Sequence, residues 1–118
     1  MKTLNMFVVV DAATHLESFQ KVVESMSGLS AKYETDIEAA INIITQQNFD
    51  LLVTDKNLPE DQTKKLHRLT DLLHPDAALI DFVMTDEDFI RYKLNGLIAK
   101  WIDAHSDGKV NFIDDPEL

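Results

Sequence analysis

At 118 residues, 45% of them hydrophobic, the chain has the size of one compact domain with a single core, spanning residues 1–118. Eleven basic against 21 acidic residues leave a formal charge of -10, a field that repels phosphate backbones and argues against direct nucleic-acid binding. Without cysteine there is no disulfide framework and no thiolate zinc site, which suits a cytoplasmic protein, and no apolar stretch is long enough to cross a membrane.

Residues 5–10 form a β-branched run that ends at Asp11, the pattern of a buried parallel strand. Thr14 and Glu17 have capping-box spacing, and Leu16, Phe19, Val22, Val23 and Met26 then recur at helical spacing until Ser27-Gly28 stops them. Residues 29–34 read as a weak, polar edge strand. Thr35 or Asp36 caps a second helix with Ile37, Ala40, Ile41 and Ile44 on its apolar face.

Residues 49–54 carry the run Leu51-Leu52-Val53 and deliver Asp55 to the strand's carboxyl end, where open α/β sheets bind ligands. Leu58-Pro59 turns the chain, because Pro has no N–H for a central strand. Residues 60–74 predict a helix with Leu66, Leu69, Leu72 and Leu73 on one face, ended by His74-Pro75. A fourth strand follows at 77–83. Residues 86–105 predict the longest helix, with Gly96 as a potential break, and the apolar run 110–113 predicts a fifth strand. Strands alternating with helices through short connections give a doubly wound α/β domain with a parallel sheet.

In chain order, Val8-Val9-Val10-Asp11, residues 28–40, residues 49–59, residues 74–80 and residues 108–116 resemble the five strand regions of response-regulator receiver (CheY-like) domains. The resemblance covers nearly the whole chain and implies a flavodoxin-like, five-stranded parallel sheet. It also implies that the family's final helix is missing or replaced by residues 86–105, since no sequence is left after the fifth strand. Asp55 matches the phosphoacceptor, and Asp11 one of two adjacent acids that hold Mg²⁺ in the family, so a metal site would draw on Asp11, Asp55 and Asn57.

Three supporting positions depart from the family pattern. Ala12 stands where the second acid belongs, Val83 at the Ser/Thr position of the fourth strand, and Asp115 where a Lys would contact the phosphoryl group. The resemblance therefore implies an atypical, degenerate receiver. It would act by protein–protein contact in two-component (phosphorelay) signalling, with weak or no phosphorylation and at most weak Mg²⁺ binding. Its partners would be a histidine kinase, a phosphotransfer protein or another signalling protein. The alternatives are a conventional phospho-switch on Asp55 and, from another class, a small Asp-nucleophile phosphatase of the haloacid dehalogenase type. Against the phosphatase, Asn57 stands where that family has its second acid, and there is no cap domain.

Asp81 is the least expected strand residue. An unpaired buried carboxylate is costly, so its face, shared with Leu79 and Val83, is expected to be partly open. Together with Phe89 and Trp101 of the long helix it marks an expected interface, with a homodimer as one outcome. The four histidines are isolated in sequence and read as surface residues rather than zinc ligands.

Overall fold

The computed structural model describes residues 3–84 and 86–105. Its elements are β1 (Leu4–Val9), α1 (Glu17–Glu24), β2 (Leu29–Glu34), α2 (Ile37–Gln46), β3 (Leu51–Asp55), α3 (Glu60–Leu73), β4 (Ala78–Phe82) and α4 (Glu87–His105). The strands form a four-stranded parallel sheet in the order β2-β1-β3-β4. The expected fifth strand at 110–113, with Asp115, lies outside the described residues.

The side-chain alternation of β1 explains the layering. Met6 and Val8 join one core cluster while Phe7 and Val9 join the other, and all four are buried. A strand buried on both faces needs a helical layer on each. On the first face, Phe19, Val22 and Val23 of α1 and Ile90, Leu94 and Leu97 of α4 pack over Met6, Val8, Val53 and Phe82. On the second, Ala40 and Ile44 of α2 and Leu66 of α3 pack over Phe7, Val9 and Leu52. β2, polar and only half-buried, is an edge strand as its composition predicts.

Gly28, at φ 79°, takes the left-handed conformation that ends the α1 region and leads into β2. Asp36 caps α2 by accepting the Ala39 N–H at 3.0 Å. Pro59 opens α3, where a missing N–H costs nothing.

Two helical expectations need correcting. In α3 the buried stripe is Thr63, Leu66 and Thr70, whereas Leu72 and Leu73 are 75% and 44% exposed. Leu72 falls off the stripe, and Leu73 belongs to the last turn, where little of the sheet remains to cover it. In α4 the helix runs unbroken through Gly96, where an added Cβ would meet nothing within 4 Å.

α4 lies on the same face as α1. The two are joined by Lys21–Glu87 at 3.7 Å and by a hydrogen bond from Arg91 Nη1 to Ser25 Oγ at 2.9 Å. α2 and α3, the crossovers that step toward β4, cover the opposite face. Because parallel crossovers are right-handed, a connection onward to a strand beyond β4 would place its helix with α2 and α3. α4 is on the other side.

The second face contains a polar inclusion. Thr54 Oγ1 and His67 Nε2 are 2.9 Å apart, and Asp81 lies beside Thr54 in the β3–β4 register. His67 is therefore a half-buried, hydrogen-bonded residue rather than a surface one. His74, also half-buried, is likewise bonded, to the Ile44 carbonyl at 2.6 Å. Burial lowers the His67 pKa, opposed by the carboxylates of Asp81 on β4 and Asp71 on α3. The unfolded chain then binds more protons between that lowered value and the ordinary one of about 6.5. Stability should thus be complete above about pH 6.5 and decline as pH falls through the window below it. Denaturation midpoints at about pH 5 and about pH 7.5 should differ less in His67→Gln than in the wild type. Equal differences in the two proteins would remove His67 as the cause.

Candidate functional site

β1 and β3 are neighbouring parallel strands, so their carboxyl ends bring Asp11 and Asp55 to one edge of the sheet. Asp55 is the last residue of β3 and has no exposed surface. Its Oδ2 accepts the main-chain N–H of Asp11 at 3.0 Å and the Thr14 hydroxyl. Its Oδ1 accepts the main-chain N–H of Asn57 at 2.9 Å. The Asn57 side-chain amide donates in turn to Thr14 Oγ1 at 3.2 Å. Three donors thus converge on one buried carboxylate, the arrangement that offsets the cost of taking it out of water.

Thr14 is the residue that sequence reasoning assigned elsewhere. Its spacing to Glu17 predicts a capping box, but α1 begins at Glu17 with Leu16 as N-cap and no side-chain cap. The hydroxyl cannot serve the helix because it already serves Asp55. The main-chain bond from Thr14 N–H to Asp11 C=O at 2.9 Å closes the loop that presents it. The only available signal was its position, three residues beyond the acid that ends the first strand.

The other expected site residues are placed as follows. Asp11 is half-buried, and its Oδ2 accepts the Ala13 N–H at 3.0 Å. Ala12 is exposed in the same loop. Val83 follows β4 and is 41% exposed, so no hydroxyl is contributed there. Lys56 is exposed next to Asp55 in sequence. Asp115 lies outside the described residues.

As metal ligands, both carboxylates are already engaged by donors of the protein. Two carboxylates approach, but one is held by Thr14 and two N–H groups, and the other is turned onto its own loop. Among the described residues no group of three acidic, His or Cys side chains is placed to hold a metal ion.

The expected interface residues lie on β4 and at the two ends of α4. Asp81 is on the α2/α3 side of the sheet near His67. Phe89 sits at the first turn of α4, 39% exposed, edge-on to Phe82 with centroids 6.1 Å apart. Trp101, half-buried and stacked on His105 at 3.9 Å, is about 18 Å further along that helix.

No protein-family model matches the sequence, and no curated protein sequence matches it. Among solved structures, the non-phosphorylated receiver domain of the stress response regulator RcsB from Escherichia coli is similar. It has 19% identity and a TM-score of 0.56, over 98% of this chain and 99% of that one. The isolated receiver domain of RcsB from Salmonella enterica serovar Typhimurium, solved with the phosphomimetic BeF3-, has 20% identity and a TM-score of 0.55. That match covers 82% of this chain and 73% of the other. A longer RcsB chain from Salmonella typhimurium matches at 22% identity and a TM-score of 0.56, over 82% of this chain but only 49% of its own length. The chain therefore spans about half of that regulator. At these identities the likeness establishes the fold, which is that of a response-regulator receiver domain.

Proposed function

We propose that the receiver fold here serves as a signalling module of the two-component type that acts by contact with another protein, without enzymatic activity. The partner is a histidine kinase, a phosphotransfer protein or a further regulator. Phosphorylation of Asp55 is weak or absent, and Mg²⁺ binds weakly at best. The carrying observation is the state of Asp55, buried and accepting from Asp11, Thr14 and Asn57 at once. A carboxylate acting as a nucleophile needs a free oxygen facing the phosphoryl donor. Here Oδ2 is occupied by the Thr14 hydroxyl and the Asp11 N–H, and the residue has no exposed surface, so a phosphoryl donor reaches either oxygen only if the residues over it move. Ala12, Val83 and Asp115 support the same reading, since each lacks the ligand or cation that the family pattern has there.

Incubation with acetyl phosphate and Mg²⁺ followed by intact-mass measurement tests it. The expected result is no stoichiometric mass increase. A stable increase that Asp55→Asn abolishes would establish the conventional phospho-switch instead. Ala12→Asp combined with Asp115→Lys is expected to strengthen Mg²⁺ binding in a titration, and no gain would refute the assignment of those positions.

A further inference from the structure

α3 contributes one buried apolar side chain, Leu66, fewer than any other described helix, and the rest of its buried stripe is Thr63 and Thr70. The Thr70 hydroxyl is buried without a hydrogen-bond partner among the described residues, an unfavourable state that ends once water reaches it. Beneath the middle of the helix the sheet is polar as well. Thr54 of β3 has no exposed surface, Asp81 of β4 stands beside it, and His67 Nε2 lies 2.9 Å from Thr54 Oγ1. The other acceptor near the Thr54 hydroxyl is the Ile80 carbonyl, at 3.5 Å. An element with few buried apolar contacts is the one that opens before the whole domain does.

We propose that His67 is a proton-operated latch: neutral, it accepts the Thr54 hydroxyl and holds α3 on the sheet; protonated, it releases α3 together with the loop 56–59 that leads into the helix. An imidazolium carries N–H on both nitrogens and accepts nothing, so the buried Thr54 hydroxyl is left with the distant Ile80 carbonyl. Burial disfavours the charged ring and outweighs the carboxylates of Asp81 on β4 and Asp71 on α3. β3 faces the ring with neutral Thr54, and the cations flanking it on α3, Lys64, Lys65 and Arg68, are exposed. The loop 56–59 carries Asn57, whose N–H donates to Asp55 Oδ1 at 2.9 Å, so the latch reaches the carboxylate at the end of β3.

Amide exchange and ring-nitrogen shifts of the full chain, recorded between about pH 5 and about pH 7.5, test the latch. The neutral His67 ring is expected as the Nδ1–H tautomer. Protection of the Leu66, Leu69 and Thr70 amides, corrected for the intrinsic pH dependence of exchange, should fall up to about tenfold per pH unit below about pH 6.5. The Asn57 amide should follow them, and the Val22 and Val23 amides of α1 should not. His67→Gln keeps an acceptor for Thr54 and should make α3 protection independent of pH. Asp81→Asn removes a carboxylate that favours the charged ring, so the decline should continue to lower pH and grow larger.

Parallel losses in α1 and α3 mean global unfolding and overturn the proposal. So does α3 protection that stays constant with pH, or a neutral ring in the Nε2–H tautomer. An Asn57 amide that keeps its protection while α3 opens overturns the link to Asp55. If His67→Gln does not fold, Asp81→Asn decides: a decline identical to that of the wild type removes His67 as the seat of the proton.

Discussion

Leu52→Ala is expected to lower the unfolding free energy by roughly 2–5 kcal/mol, the usual cost of truncating a fully buried Leu. Leu52 is in the middle of β3, directly between Phe7 of β1 and Leu79 of β4, and has no exposed surface. Leu66 of α3 and Ile44 of α2 belong to the same core. The cavity left by truncation is bounded by sheet and helix alike, so the surroundings cannot easily collapse into it. Leu72→Ala makes the control. It removes the same atoms from a side chain that is 75% exposed, and the change should stay within about 0.5 kcal/mol. Chemical denaturation of both variants reads the contrast directly. Equal midpoints would mean that β3 is not the buried strand described here.

Asp55→Ala is expected to destabilise the domain by about 3 kcal/mol, although it removes a charge from a strongly acidic protein. The reason lies in the three donors it would strand, the N–H groups of Asp11 and Asn57 and the Thr14 hydroxyl. A buried donor left without an acceptor costs roughly 1–3 kcal/mol, and partial rehydration of the Asn57 end keeps the sum near the lower bound. Thr14→Val should reproduce only part of this loss, since it removes one donor and leaves two satisfied. A phosphoacceptor retained only for chemistry would show neither effect. An Asp55→Ala midpoint equal to the wild type would therefore refute a structural role for this carboxylate.

How much could be read in the sequence varied by residue for physical reasons. α2, β2 and β3 were legible because periodicity and caps act over a few neighbouring residues, as in Asp36 accepting from Ala39. The wrong expectations concern residues with two competing partners. Thr14 has the spacing of a cap, but its hydroxyl belongs to Asp55, 41 positions away, a contact that exists only once β1 and β3 are paired. His67 looks like an isolated surface residue until α3 packs over Thr54.

By itself the sequence determined the alternation of strands and helices, the buried character of β1 and β3, and the placing of Asp11 and Asp55 at strand ends. All of these follow from local pattern and from the rule that parallel neighbours share an edge. Only the tertiary structure decided that α4 returns to the α1 face, that Leu72 and Leu73 are left outside, and that Asp55 is buried and accepts three hydrogen bonds. Each depends on which surfaces meet, and a helix with apolar residues on several sides, as α4 has in Phe89, Ile90, Leu94 and Ile102, does not specify its own partner. The face it buries is the one whose Ile90, Leu94 and Leu97 join Phe19, Val22 and Phe82 in one core cluster.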